Sequence, residues 1–255
     1  MIIFYLTSTG NSLAVAKRID GNLISIPQVI DSGNLQYKDD IIGLIFPIYS
    51  LEAPKMVRRF LEKAKLEAEY TFAIGTYGNM PGAAMLNIQK WAKERGFHFD
   101  YTASLLMVDN YLSVFEIDDQ IAKLPEKRTE EMTTKIVEDI HNRKHLQATA
   151  SLGARAITSA LRLFDNKVYN GKQGRGYIIN EKCNKCGVCA TVCPVGNITV
   201  TDKVQFSDQC TGCLGCVHLC PQNAIHLKNE KSAKRWRNPE VSLKEIIDAN
   251  NRRSD

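Results

Sequence analysis

The stretch Cys183-Asn184-Lys185-Cys186-Gly187-Val188-Cys189-Ala190-Thr191-Val192-Cys193-Pro194 recurs 27 residues later as Cys210-Thr211-Gly212-Cys213-Leu214-Gly215-Cys216-Val217-His218-Leu219-Cys220-Pro221. Both copies read CxxCxxCxxxCP, and together they hold all eight cysteines of the 255-residue chain. A short apolar end follows each proline, Asn197 to Val200 in one and Ala224 to Leu227 in the other, so each half supplies a small strand. Thiolates suit soft iron, and two-residue gaps let one tight loop wrap three corners of a cubane while a fourth ligand arrives from elsewhere.

Two zinc sites or four disulfides are the competing readings. Zinc sites pair two CxxC-type knuckles per metal, and disulfides need an oxidising compartment to which nothing in the chain points. From roughly Gly176 to Glu230 the sequence resembles the bacterial two-cluster ferredoxins, matching at all eight ligand cysteines and both prolines. In the two-cluster arrangement Cys183, Cys186, Cys189 and Cys220 hold one 4Fe-4S cluster, and Cys210, Cys213, Cys216 and Cys193 hold the other. Pro194 and Pro221 fix the backbone just after each crossing ligand. Gly187, Gly212 and Gly215 keep the loops slim enough for backbone amides to reach the sulfurs and tune them.

The roughly 170 residues before this segment are enough for a core of their own. Composition is ordinarily globular, with 44% hydrophobic and 24% charged residues and a formal net charge of +5. Basic residues are interleaved with acids, which disfavours a nucleic-acid role. Runs such as Ile41 to Phe46 have the length of buried strands and fall short of a membrane span. The apolar run Met1 to Leu6 is followed by Lys17 and Arg18 and does not read as a signal peptide, so a cytoplasmic location is expected.

Short apolar runs alternate with amphipathic segments, the pattern of a parallel sheet wrapped by helices. Five strands are expected at Met1 to Leu6, Leu23 to Ile26, Ile41 to Phe46, Tyr70 to Gly75 and within Phe97 to Val108. Helices are expected near Asn11 to Asp20, Pro54 to Ala64 and Pro81 to Arg95, with Pro54 and Pro81 in first turns. The first strand runs into Thr7-Ser8-Thr9-Gly10-Asn11-Ser12 and then a helix. Free helix N–H groups, hydroxyl side chains and a glycine make an anion cradle there, though an ordinary Ser/Thr helix cap is the plainer alternative. Neither GxxxxGK[ST] nor GxGxxG is present at this turn, which disfavours ATP and NAD(P).

In a doubly wound sheet the loops after the third and fourth strands face the same crevice. Both carry a tyrosine: Pro47-Ile48-Tyr49-Ser50-Leu51 and Thr76-Tyr77-Gly78-Asn79-Met80-Pro81-Gly82. Either ring can stack on a flat heterocycle, or be simply a part-buried loop aromatic. Over roughly Met1 to His145 the chain resembles the flavodoxins, with Thr7 to Ser12 matching their phosphate loop. The resemblance implies an α/β, doubly wound five-stranded parallel sheet of order 2-1-3-4-5 and noncovalent FMN. Thr7, Ser8, Thr9, Gly10, Asn11 and Ser12 would hold its phosphate. Pro47, Ile48, Tyr49 and Ser50, with Thr76, Tyr77, Gly78 and Asn79, would flank the isoalloxazine. Many flavodoxins have a glycine beside the flavin in the loop after the third strand, and Pro47 to Glu52 has none. Asp109-Asn110-Tyr111 is a third candidate wall, with Tyr111 as its contact residue.

Asp118 to His145 reads as one long polar helix and Leu152 to Phe164 as a connector, and the three glycines of Asn170 to Gly176 mark a turn or hinge. The tail from His226 holds eight basic and five acidic residues, with a short helix near Leu243 to Asn250. It reads as a solvated face or a dock for an acidic partner. The expected units are 1–170, 171–230 (a small α+β two-cluster domain) and 231–255.

In this order the motifs resemble a flavodoxin-ferredoxin fusion, a family of redox proteins found mainly in anaerobes. No catalytic acid, base or nucleophile is evident, and His218 between cluster ligands is expected at the surface. The expected function is electron transfer between two 4Fe-4S clusters, FMN and a redox protein partner. The alternatives are a flavin-dependent reductase of a quinone, nitro compound or free flavin, and a ferredoxin whose first domain binds partners without flavin.

Overall fold

The computed structural model describes residues 1–168 and 170–252; the last three positions of the expected tail lie outside the described residues. Strands β1 (Ile2–Tyr5), β2 (Asn22–Ser25), β3 (Ile41–Pro47), β4 (Tyr70–Tyr77) and β5 (Tyr101–Leu106) form one parallel sheet in the order 2-1-3-4-5. The pleat divides each strand between two cores. Ile3 and Tyr5 face one side with Leu13 and Ile19 of helix α1 (Asn11–Ile19). Ile2, Phe4 and Leu6 face the other with Phe60 of α2 (Lys55–Lys63) and Ile88 of α3 (Ala84–Lys93). Helices thus cover both faces, which is why the central strands read as continuous apolar runs. A lateral two-stranded pair, Gln36–Lys38 with Lys65–Glu67, is too short and polar to stand out in the sequence.

Pro54 is the N-cap of α2, and Pro81 lies three residues before α3, so neither sits in a first turn. The expected helix 118–145 is three pieces, Ile117–Ala122, Leu124–Lys127 and α4 (Thr129–His141). Pro125 has no N–H to give the carbonyl of Ile121, and Arg128 turns the chain at φ 48°. The connector α5 spans Leu152–Val168.

The cysteine-rich segment has its own small core, in which Ile198, Leu214, Val217 and Ile225 pack among the cysteines. Ile198–Val200 pairs with Val204–Phe206, and Ile225–His226 with Ile178–Ile179, so both apolar ends are strands but they do not pair with each other. The expected hinge is tied down. Gly171 O accepts from Cys210 N at 2.8 Å, Arg175 pairs with Asp208 at 2.6 Å, and Gln173–Gly176 is a short 3-10 turn.

The tail is not a solvated face. Helix α6 (Leu243–Asn250), opened by a Ser242–Glu245 capping box, buries Ile246 and Ala249 in the α1-side core together with Val241. Lys17 on α1 ties it from outside, donating to Glu240 O at 2.8 Å and Glu245 Oε1 at 2.7 Å.

Candidate cofactor sites

The loops after β1, β3, β4 and β5 meet at the carboxyl edge of the sheet around a cavity of about 590 Å³. Thr7, Ser8, Thr9, Asn11 and Ser12 line it, as do Pro47, Ile48, Tyr49, Ser50, Thr76, Tyr77, Gly78, Asn79 and Tyr111. Gly10 does not. A Cβ on Gly10 would meet Asn238 at 3.0 Å and Val241 at 3.1 Å, so its bare face is turned to the C-terminal segment.

The phosphate-loop reading fits the local geometry. Thr7, Ser8, Thr9 and Ser12 are all buried, and α1 starts without a side-chain cap, which leaves its first N–H groups open to an anion. The hydroxyls are ordered by neighbours. Thr7 Oγ1 accepts from Gly10 N at 3.2 Å, Ser12 and Thr76 hydroxyls are 2.8 Å apart, and Asn110 Nδ2 donates to Thr9 Oγ1 at 2.6 Å. The Asn110 bond gives the Asp109-Asn110-Tyr111 loop a definite part in the site; Tyr111 itself is 40% exposed at the mouth.

The turn after β3 departs from the flavodoxin pattern in an informative way. Tyr49 and Glu52 exchange backbone bonds at 3.0 and 2.9 Å across a two-residue turn, with Ser50 at φ 48° and Leu51 at φ 64°. A turn of that hand normally uses Asn-Gly, so the backbone shape survives without glycine, with strain of about 1 kcal/mol per residue. Gly78 lines the cavity and also serves the packing of its walls. A Cβ there would lie 2.4 Å from Asp109 Cα, so the glycine lets two cavity loops pack against each other. Lys127 clamps the same loops, donating to Gly78 O at 3.1 Å and Met107 O at 2.6 Å. Burial lowers its pKa and raises that of Asp109 beside it.

Sequence reasoning missed the fourth wall. Thr211, Gly212, Cys213 and Leu214 of the second cysteine repeat line this cavity. Gly215 lies against this wall, where a Cβ on it would stand 3.4 Å from Ser8 O, in ordinary van der Waals contact. Tyr49 stands beside Ser8 and Cys213, and burial, then the Cys213 charge, push the pKa of its hydroxyl well up. Such a contact between positions far apart in the chain leaves no local signal.

All eight cysteines are free. The electrostatic neighbours of Cys189 are Cys220, Cys183 and Cys186; those of Cys213 are Cys193 and Cys210, and Cys216 adds one neighbour from the other set, Cys189. Burial first, then these neighbours, raise the Cys189 pKa to about 11 and that of Cys213 to about 12. Bare thiolates packed this way are costly, and cations between them remove the cost. Backbone amides already address the sulfurs: Asn197 N to Cys193 and Ala224 N to Cys220, both at 3.3 Å, and Gly212 N to Cys210 at 3.5 Å. A small cavity is lined by Cys193, Cys210, Cys213 and Cys216, and Thr211 Oγ1 and Asn197 Nδ2 on its wall are buried without a partner. Orphaned donors beside four sulfurs fit a cluster with sulfide acceptors. Among the described residues, no three His, Cys, Asp or Glu side chains close around a single-ion position; a cubane spreads its ligands more widely.

His218 is not at the surface. It is 5% exposed, its Nδ1 accepts from Trp236 N at 3.1 Å, and Nε2 therefore carries the proton for Asn110 O at 2.8 Å. Burial lowers its pKa to about 4, consistent with a neutral ring.

The C-terminal segment braces both sites. Asn238 N donates to Thr9 O at 2.8 Å, and Trp236 and Asn238 donate to Asn11 Oδ1 at 3.4 and 3.2 Å. Fully buried Asn250 donates to Thr7 O at 3.0 Å and to Val192 O at 3.2 Å, joining the loop after β1 to the residue before Cys193. Asn250→Ala leaves two buried carbonyls unpaired and is expected to cost about 2 kcal/mol, seen as a lower thermal midpoint. An unchanged midpoint would mean that this junction carries no stability.

Two intertwined cysteine sets docked on a flavodoxin-like sheet define an iron-sulfur protein of the ferredoxin class, a class whose clusters carry single electrons. Residues 175–221 match the 4Fe-4S dicluster domain, and through this segment the chain belongs to that family. Over 63 residues it is 41% identical to pyruvate synthase subunit PorD of Methanocaldococcus jannaschii, covering 24% of this chain and 73% of that protein. Over 50 residues it is 44% identical to the polyferredoxin protein MvhB of Methanothermus fervidus, covering 19% of this chain and 12% of that protein. A putative flavoprotein from Bacteroides eggerthii superposes with a TM-score of 0.34 at 16% identity, covering 49% of this chain and 95% of that one. For Megasphaera elsdenii flavodoxin the TM-score is 0.32 at 23% identity, with 41% and 85% covered. Strand order and crossovers, not these superpositions, make the sheet flavodoxin-like. Among the described residues no helix is long and apolar enough to cross a membrane.

Proposed function

We propose that the protein is an electron carrier in which residues 1–170 bind FMN in the 590 Å³ cavity and residues 171–230 hold two 4Fe-4S clusters. The observation that carries this is the shared wall: the segment Thr211 to Leu214, with Cys213, closes the same cavity as Thr7 to Ser12. FMN exchanges electrons singly or in pairs and clusters exchange them one at a time, so their proximity serves the joining or splitting of electron pairs. Cys183, Cys186, Cys189 and Cys220 are assigned to one cluster, and Cys210, Cys213, Cys216 and Cys193 to the other. The second set is the one beside the flavin. Cys186 of the first set is exposed, with exposed Lys182 and Lys185 around it, which suits a redox protein partner with an acidic face.

Within the first cavity each group of residues has a task. The loop after β1 and the open start of α1 hold the phosphate. Tyr49 and Tyr77 bound the ring site, and Lys127 and Asn110 hold the loops in place. Anaerobic purification with visible spectroscopy, iron counting and FMN titration tests the reading. The expected result is about eight irons and one tightly held flavin. Cluster absorbance without flavin uptake after added FMN sinks the flavoprotein half and leaves a ferredoxin with a partner-binding domain.

One observation favours a second reading, reduction of a small planar acceptor such as a quinone. Met80, Val114 and Leu161 stand at the cavity mouth 52%, 56% and 44% exposed, an apolar rim suited to an uncharged ring. Flavin reoxidation that saturates with a quinone distinguishes it from the carrier.

A further inference from the structure

A second cavity, of about 480 Å³, lies between the start of α2 and the loop carrying Cys210. It shares Tyr49, Ser50 and Thr211 with the first and is otherwise separate. Its charge is lopsided. Among the described lining residues Lys55, Arg58, Arg59 and Arg252 stand against Glu52 and Asp208. Both acids are already matched from outside the cavity, Glu52 by Arg162 at 3.4 Å and Asp208 by Arg175 at 2.6 Å. Arg59 and Arg252 share one carboxylate, that of Asp31. Arg58 is half-buried, and among the described residues its guanidinium has no ion pair or hydrogen bond. The wall beside these cations includes an aromatic ring and apolar side chains, Tyr49, Ala53, Met56 and Val195.

Unmatched guanidinium charge in a concave site calls for an anion, and arginine favours phosphate for its forked geometry. The start of α2 adds to this, since it has no side-chain cap and lines the cavity with Pro54, Lys55 and Met56. Tyr49 and the apolar residues add a surface for a flat ring, and the volume accommodates more than a simple ion. We propose that this cavity binds a nucleoside diphosphate, or the equivalent part of a dinucleotide, with its phosphates on Arg58 and the start of α2. Because Tyr49 and Ser50 border both cavities, the ligand would touch the back of the turn that walls the first site.

The test is calorimetric titration of the full chain, saturated with FMN under anaerobic conditions, with ADP, inorganic pyrophosphate and adenosine. ADP binds one to one, pyrophosphate binds more weakly, and adenosine gives no heat. Arg58→Glu weakens ADP by at least about tenfold while flavin content and iron content stay unchanged. No binding of ADP at about a millimolar, binding unaffected by Arg58→Glu, or ADP displaced by excess FMN each overturns the proposal. ADP binding that depends on Arg58 in a chain that takes up no FMN upholds this site and refutes the proposed flavin site instead.

Discussion

Cys193→Ala is expected to lower bound iron by about half, from about eight to about four atoms per chain, although the lost residue belongs to the first cysteine repeat. The Cys193 thiol is 8% exposed, lines the small cavity with Cys210, Cys213 and Cys216, and accepts an amide hydrogen bond from Asn197. Alanine removes one corner of that set and leaves Cys183, Cys186, Cys189 and Cys220 in place. The damaged set is the one whose loop walls the cavity proposed for flavin, so electron passage to the proposed flavin should fall with the iron. Iron counting with EPR of the dithionite-reduced protein checks this, and Cys220→Ala should remove the other signal. Loss of the first set's signal in Cys193→Ala would refute the crossed assignment.

Thr9→Asp is expected to weaken FMN binding by at least about a hundredfold, or about 3 kcal/mol. The side chain is 2% exposed at the open start of α1, where an anion is favoured because the first turn of the helix carries no acidic residue. A carboxylate placed there satisfies the same N–H groups and repels a phosphate. Fluorescence titration with FMN reads the loss, and an unchanged iron content shows that the chain has folded. A wild-type affinity in this variant would move the flavin phosphate away from the loop after β1.

Much of the architecture was legible because its signals are local or periodic. Five apolar runs of strand length, separated by amphipathic helices, point to a parallel sheet, and the order implied by the flavodoxin resemblance is the observed one. The cysteine spacing is itself the geometry of a loop around a cubane, so the candidate ligands could be singled out from spacing alone. Thr7 to Ser12 could be singled out because a strand, a hydroxyl-rich turn and a helix start are contiguous.

Other features depended on which surfaces meet. The polar segment 118–145 carries helical composition throughout, yet Pro125 and a left-handed Arg128 divide it, and the resulting bend brings Lys127 to the cavity loops. The tail looked solvated because its charges dominate its composition. Three apolar residues, Val241, Ile246 and Ala249, outweigh them once a core is offered on α1. His218 was expected at the surface from its place between cluster ligands, and docking against Asn110 and Trp236 buries it.

By itself, then, the sequence determined a ferredoxin-type pattern of eight cysteines and a parallel sheet wrapped by helices with an anion-ready first turn, because both are written in spacings of a few residues. Only the tertiary structure decided that the second repeat faces the flavodoxin-like cavity, with Gly215 against Ser8, Tyr49 beside Cys213 and Asn250 joining Thr7 to Val192. These contacts join segments far apart in the chain, and their free energy comes from shape and hydrogen-bond matching between finished surfaces, which no local pattern of residues encodes.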